Sequence, residues 1–229
     1  MEKMKKKLFL ILALPVILLM SAYIPEKAAK VKNGWKLVWS DEFNGNKPDS
    51  SKWNVLFRET SKHGELQYYV PDEVYVDNGM LHLRSRMRKY GSKEYTSGRV
   101  DTRGKFAPTY GRFEIRARLP AGRGMWPAHW LYPQNRNWEM EALMQKEVAE
   151  GREKLIPEER PWYTEIDIME FLGHEPNIIY GTNHYCDYDG KRRSTSGKEV
   201  SAEDFSRDFH VYALEWEPDS IRWYIDGKL

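Results

Sequence analysis

Apolar and polar positions alternate along much of the chain with the period of two that a half-buried strand needs. The cleanest case runs from Arg112 to Leu119. Phe113, Ile115, Ala117 and Leu119 share one face, and Arg112, Glu114, Arg116 and Arg118 share the other, as in an antiparallel strand with one wet side. Val74-Tyr-Val-Asp77 and Met80-Leu-His-Leu-Arg84 alternate in the same way around Asn78-Gly79, a pair suited to the positive φ angles of a type I′ hairpin turn. Lys36-Leu-Val-Trp-Ser40 reads as the first strand, and residues 41–49 as loops rich in Asn, Gly and Pro. Ile221-Arg-Trp-Tyr-Ile225 reads as a strand running into a second turn, Asp226-Gly227, after which only Lys228 and Leu229 follow. Many short strands with regular turn signals predict an all-β sandwich of two packed antiparallel sheets.

Two stretches break this period. Over residues 137–151, Met140, Leu143, Met144 and Val148 recur at helical spacing, with Asn137 as a cap, Gly151 as a stop and Pro157 beyond it. This predicts a helical insertion, packed on the sandwich or walling one end of a cleft. At the N-terminus, a basic segment from Met1 to Lys7 precedes an almost wholly apolar run over residues 8–23, the pattern of an export signal. Residues 1–24 are therefore read as a signal peptide, or an uncleaved anchor, and residues 25–34 as a polar linker. An exported protein is expected, at the cell surface, in the periplasm or outside the cell.

Composition narrows the partners. The 229 residues suit one domain. The net charge is +2, and the first 24 residues, with four Lys and one Glu, carry +3 of it, so the rest carries +2 − 3 = −1. That balance gives no reason to expect nucleic acid or, for the mature form, a membrane as partner; a monomer is expected. Nine Trp and fourteen Tyr can serve both a ring-rich core and platforms on which sugars stack. The single Cys186 excludes an intramolecular disulfide and is expected as a buried, inert thiol.

The candidate chemistry lies in Glu165-Ile-Asp-Ile-Met-Glu170. β-branched and aromatic neighbours favour a strand here. Glu165 and Asp167 then share a face, with Ile166 and Ile168 pointing into a core. Glu170 falls on the wrong parity, where an unpaired carboxylate is costly. A β-bulge at Ile168-Met169 would insert one residue and return it to the polar face. The two Glu Cα atoms would then lie roughly 13 Å apart, and carboxyls leaning inward would approach within roughly 5–6 Å, the spacing of a retaining glycosidase. Acids on a solvated strand are common, but three like charges in a row repel one another, so a purely structural strand gains nothing from them. Such a row does separate the pKa values of its members, as acid/base chemistry requires.

Glu165-Ile-Asp-Ile-Met-Glu170 resembles the signature of glycoside hydrolase family 16, in the bulged form of laminarinases and agarases. Trp39-Ser-Asp-Glu-Phe-Asn-Gly45, Glu65-Leu-Gln-Tyr-Tyr69, Tyr95-Thr-Ser-Gly-Arg99, Gly104-Lys-Phe106, Tyr110-Gly-Arg-Phe-Glu114, Trp126-Pro-Ala128 and Phe209-His-Val-Tyr-Ala-Leu-Glu-Trp216 resemble further blocks of that family, in its order. The resemblance spans residues 35–229 as a catalytic domain and implies a jelly roll of the concanavalin A type with a concave cleft. It implies that the final strands are missing. It assigns Glu165 as nucleophile, Glu170 as general acid and then base, and Asp167 as the carboxyl that tunes them. His184 matches a histidine on the adjacent strand; Trp126, Trp130, Arg99 and, more weakly, Glu65 match sugar-binding positions. His129 is expected to be structural. Glu42 resembles a position that helps hold a structural calcium ion; no cofactor is expected for catalysis. The implied activity is a secreted retaining endo-β-glycanase on a polysaccharide, foremost an endo-1,3-β-glucanase. An endo-galactanase on agar, porphyran or carrageenan, a transglycosylase, and a non-catalytic β-glucan-binding protein are the alternatives. Residues 136–161 and Thr164, where the family usually has glycine, depart from the pattern and bear on the substrate.

Overall fold

The structure, a computed structural model, describes residues 31–32, 34–60, 64–134, 150–151, 164–186 and 192–229. The expected signal peptide lies outside the described residues, as does the expected helix over residues 137–151 except for its last two positions, a turn in which Gly151 takes φ +70°. The chain divides into residues 1–39 and 40–229. In the first unit, β1 (Val31–Lys32) pairs with β2 (Trp35–Lys36). The strand expected over residues 36–40 is therefore displaced, and its partner comes from the expected linker. Leu37 and Val38 join no ladder and remain 48% and 73% exposed. A pattern becomes a strand only where a neighbouring edge accepts its hydrogen bonds.

The second unit is all β apart from one turn of 3₁₀ helix at Pro71–Glu73 among its described residues. β3 (Asn54–Val55) pairs with β10 (Val100–Asp101), and β6 (Val74–Asp77) with β7 (Met80–Leu83) across Asn78 and Gly79 at φ +50° and +71°. β4 (Arg58–Glu59), β5 (Gln67–Tyr69), β9 (Lys93–Ser97) and β8 (Ser85–Tyr90) form one sheet in that order, with β5 and β9 parallel.

The other two sheets build the site. β11 (Gly111–Ala117), β16 (His210–Glu217) and β17 (Ser220–Ile225) form one; β12 (Ala128–Leu131), β13 (Thr164–Glu170), β14 (Ile178–Cys186) and β15 (Arg192–Val200) form the other. All their pairings are antiparallel. Their apolar faces share one core. Ile166, Ile168, Met169 and Ile179 meet Tyr212 and Leu214, with Phe113, Ile115, Ala117, Ile221, Trp223 and Ile225 packed around them. Each fully buried large side chain contributes about 1.5–3 kcal/mol. On the opposite face of β11, Arg112 bridges Glu114 at 2.8 Å and Glu215 at 2.7 Å, the wet side that its alternation requires. Leu119, the last apolar position of that pattern, lies beyond the strand but is still in the core at 4% exposure.

One contact between these sheets has no room for change. A Cβ on Gly181 would lie 2.6 Å from the Trp223 ring, so β14 can approach β17 this closely only with glycine there. Gly181→Ala is expected to destabilise the fold by about 1–3 kcal/mol through overpacking, read as a lower urea midpoint at unchanged m-value.

Candidate active site

β13 carries the acids, and its register contains the extra residue that brings them together. On one side His129 faces Met169 but Trp130 faces Asp167; on the other, Asp167 faces Thr182 but Glu170 faces Tyr180. Two residues, Ile168 and Met169, thus span the place of one. Both side chains enter the core, at 4% and 0% exposure, and Glu170 returns to the face of Glu165 and Asp167. The broken ladder leaves the Asp167 carbonyl in need of a donor. Trp223 supplies it from the opposing sheet, its indole N–H at 2.8 Å.

The Asp167 side chain is nearly sealed. Its Oδ2 lies 3.2 Å from His184 Nε2, and single ligand atoms of Glu165, Asp167 and His184 lie within 4.8 Å of one another. Burial, reinforced by the charges of Glu170 and Glu165, pushes its pKa up to about 8. At neutral pH the carboxyl is therefore protonated and can donate to the imidazole or to a neighbouring carboxylate. Glu165, Asp167 and His184 are of the right types to hold a divalent cation, which would have to displace the proton of Asp167. The set suits acid/base work better.

Aromatic groups flank the acids. The indole N–H of Trp126, a residue 56% exposed, donates to Glu170 Oε1 at 2.9 Å. Trp130 shares the face of Asp167 through its register. The Arg99 guanidinium lies 4.7 Å from the Trp130 ring centre and 5.5 Å from that of Tyr69, a cation held between two π faces. Glu65 accepts from the Tyr69 hydroxyl at 3.4 Å, and the Tyr69 ring lies under the Arg99 guanidinium, which also lies over Trp130. His129 points to the core side, opposite Met169, and burial pushes its imidazole down to about 4. Cys186 ends β14. Glu42 lies elsewhere, in a concavity of about 340 Å³ shared with Asp41, Asp49, Lys47 and Lys52.

Comparison with known proteins bears on this arrangement. The family model "Glycosyl hydrolases family 16" matches residues 154–229, which carry the three acids and His184, and the model "Beta-glucan synthesis-associated protein SKN1/KRE6/Sbg1" matches residues 19–135. A beta-glucanase of Rhodothermus marinus is 40% identical over 203 residues, covering 85% of this chain and 64% of that protein. A glucan endo-1,3-beta-glucosidase of Cryptopygus antarcticus is 33% identical, covering 85% of this chain and 68% of its own length. The chain belongs to glycosyl hydrolase family 16. The X-ray structure of the laminarinase from Rhodothermus marinus superposes with a TM-score of 0.65 at 40% identity, over 84% of this chain and 72% of that one, so the jelly roll of the family is the fold here. This family 16 chain spans less than two thirds of the Rhodothermus beta-glucanase.

Two residues of the site were not singled out from sequence. Tyr69 shares strand parity with Glu65 and Gln67, which is the signal that could have found it. The Trp223 indole had to bond something once buried, but nothing in the sequence names a carbonyl on another sheet as its partner.

The raised pKa of Asp167 has a sign that can be checked. The unfolded carboxyl titrates near 4 and the folded one near 8. Between those values the folded state binds the extra proton, so this group's stabilisation is complete below pH 4 and is lost as pH rises through 8. Asp167→Asn removes the titration. The unfolding free energy of the wild type is expected to fall relative to that of the variant as pH goes from 4 to 8, measured by urea denaturation at each pH.

Proposed function

We propose that the chain is a retaining endo-β-glycanase that hydrolyses internal bonds of a β-glucan, foremost β-1,3 linkages. The observation that carries this reading is the bulged register of β13, which gathers Glu165, Asp167 and Glu170 on one face. The names of the relatives, beta-glucanase and glucan endo-1,3-beta-glucosidase, support the choice of glucan.

In the first step, a Glu165 carboxylate oxygen bonds to the anomeric carbon as the C–O bond to the departing sugar breaks. The electron pair leaves with that oxygen, which takes the proton of Glu170. In the second step, water attacks the anomeric carbon, its proton passes to Glu170, and the bond to Glu165 breaks. A neutral Asp167 can hydrogen-bond the charged form of a neighbour without adding a third negative charge. His184, at 3.2 Å, orients it. The Trp126 ring and the Tyr69–Arg99–Trp130 array offer faces and donors to the sugar rings.

No cofactor enters these steps. Calcium at Glu42 is no part of the proposal, because its surroundings do not fit one. Asp41 already accepts from the Phe43 N–H at 3.0 Å and the Trp53 indole at 2.8 Å, and the Lys52 ammonium bonds the Ser40 carbonyl at 2.7 Å. The basic and apolar leader supports export before the enzyme meets its polymer.

A second reading, an endo-galactanase on a sulfated polymer, is favoured by one observation. Arg192 and Lys198 are exposed on β15, opposite Cys186 and Tyr180, and so on the face of the acids. Arg193, opposite Tyr185, falls on the other face. Product analysis on laminarin, lichenan, agarose and carrageenan decides between the two; laminarin oligosaccharides are expected, and elongated products would show transfer instead.

The roles of the two glutamates are separable. Glu165→Ala is expected to abolish hydrolysis and, with azide, to give an inverted glycosyl azide. Glu170→Ala is expected to lose about 10²–10⁴-fold on poor leaving groups and to give a retained azide product from good ones. Azide products of the same configuration from both variants would contradict the assignment.

A further inference from the structure

Trp126 is more than half exposed, so side-chain packing does not fix its place against Glu170. The backbone on either side of it does. The residues before and after Trp126 both accept hydrogen bonds from the segment that directly follows Glu170: Gly173 N–H donates to the Met125 carbonyl at 2.9 Å, and Phe171 N–H to the Pro127 carbonyl at 3.2 Å. A third bond, from Gly122 N–H to the Gly173 carbonyl at 2.8 Å, and a fourth, from Met125 N–H to the Gly122 carbonyl at 3.2 Å, close the clasp. Phe171, at 0% exposure, anchors it in the core.

Gly173 is what lets the two segments approach. A Cβ there would lie 2.4 Å from the Gly122 carbonyl oxygen, 2.8 Å from Met125 Cβ and 3.0 Å from Gly122 N. Backbone atoms of one loop would have to move to admit a methyl group. The demand at Gly173 is for space and not for an unusual φ, since its backbone is not left-handed; Gly122, at φ +120°, is the member that needs glycine for conformation.

We infer that Gly173 is a positioning residue for the general acid: by admitting this clasp it holds Trp126 where the indole N–H grips the Glu170 carboxyl. The inference rests on the reading of Glu170 as acid and base. A donor on Oε1 favours the proton on Oε2 and stabilises the carboxylate that forms once that proton has gone to the departing sugar. The same bond keeps the carboxylate aimed for the second step, when it takes a proton from water. Trp126 thus serves the acid through its edge while its ring remains a sugar platform.

The test uses the full chain. Trp126→Phe keeps a ring and removes the N–H. Its loss takes from Glu170 Oε1 the donor that supports the carboxylate formed on proton transfer. In the same variant kcat should fall about ten-fold with KM within about two-fold, and the fall should be larger for poor than for good leaving groups. The indole N–H resonance of Trp126 in ¹H–¹⁵N NMR reads the hydrogen bond without substrate: Glu170→Ala, which removes the acceptor, should move it toward that of a solvent-exposed indole. Gly173→Ala should reproduce these changes with Trp126 intact, and the double variant should be no worse than Trp126→Phe alone. A Trp126 indole resonance that Glu170→Ala leaves unmoved, or a Trp126→Phe loss equal for good and poor leaving groups, overturns the link between indole and acid. A Gly173→Ala chain that fails to fold, loses kcat without a move of the Trp126 indole resonance, or adds its loss to that of Trp126→Phe overturns the role of Gly173. If the wild type cleaves no glycan while the indole resonance moves as expected, it is the proposed activity that fails, and the clasp stands as a device that sets the Glu170 carboxyl.

Discussion

The site depends on a single inserted residue in β13. Without it, Glu170 would share the inward face of Ile166 and Ile168, where a carboxylate has no water and no partner. With it, two apolar side chains enter the core in succession and the carboxyl turns to solvent. The insertion is not free, because it interrupts the ladder on both sides of the strand. The opposing sheet answers this through Trp223, which packs against Gly181 and caps the Asp167 carbonyl. The acids are therefore held by the sandwich as a whole and not by the strand alone.

The same sandwich sets the charge state of the middle acid, and a second buried carboxylate shows how. Glu73 is 0% exposed. Burial pushes its pKa up, but hydrogen bonds from Arg86, Thr96 and Arg84 outweigh burial and hold it below the usual carboxylate range. Asp167, at 3% exposure, is surrounded by two more carboxylates and an imidazole, and nothing offsets its desolvation. One environment makes an ion that ties strands together; the other makes a neutral acid between two glutamates. Burial alone does not distinguish these outcomes; the cations do.

Around the acids, polar and aromatic groups work in pairs. Arg99 lies over both Tyr69 and Trp130, and Trp130 in turn shares the face of Asp167. Trp126 is held by backbone and reaches Glu170 by its edge. The high aromatic content of the chain thus divides between the core, where Tyr212 and Trp223 pack, and the site, where rings orient charged groups.

The sequence by itself determined the local facts. Alternation placed Phe113, Ile115 and Ala117 inward; Asn78-Gly79 and Asp226-Gly227 set their turns, with φ of +50° and +79° at Asp226 and Gly227; the parity of Glu170 required an extra residue at Ile168-Met169. Each of these follows from steric rules acting over a few residues. Tertiary structure decided whatever joins distant segments. Residues 37–40 had a strand pattern and found no edge to pair with, while β2 paired with residues from the expected linker. Glu65 meets Tyr69, whose ring lies under the Arg99 guanidinium. The raised pKa of Asp167, the capping of its carbonyl by Trp223 and the clasp of Gly173 on Gly122 all arise where chain segments tens of residues apart come within a few ångströms. Desolvation, hydrogen-bond partners and clearance are properties of that proximity, and no local pattern carries them.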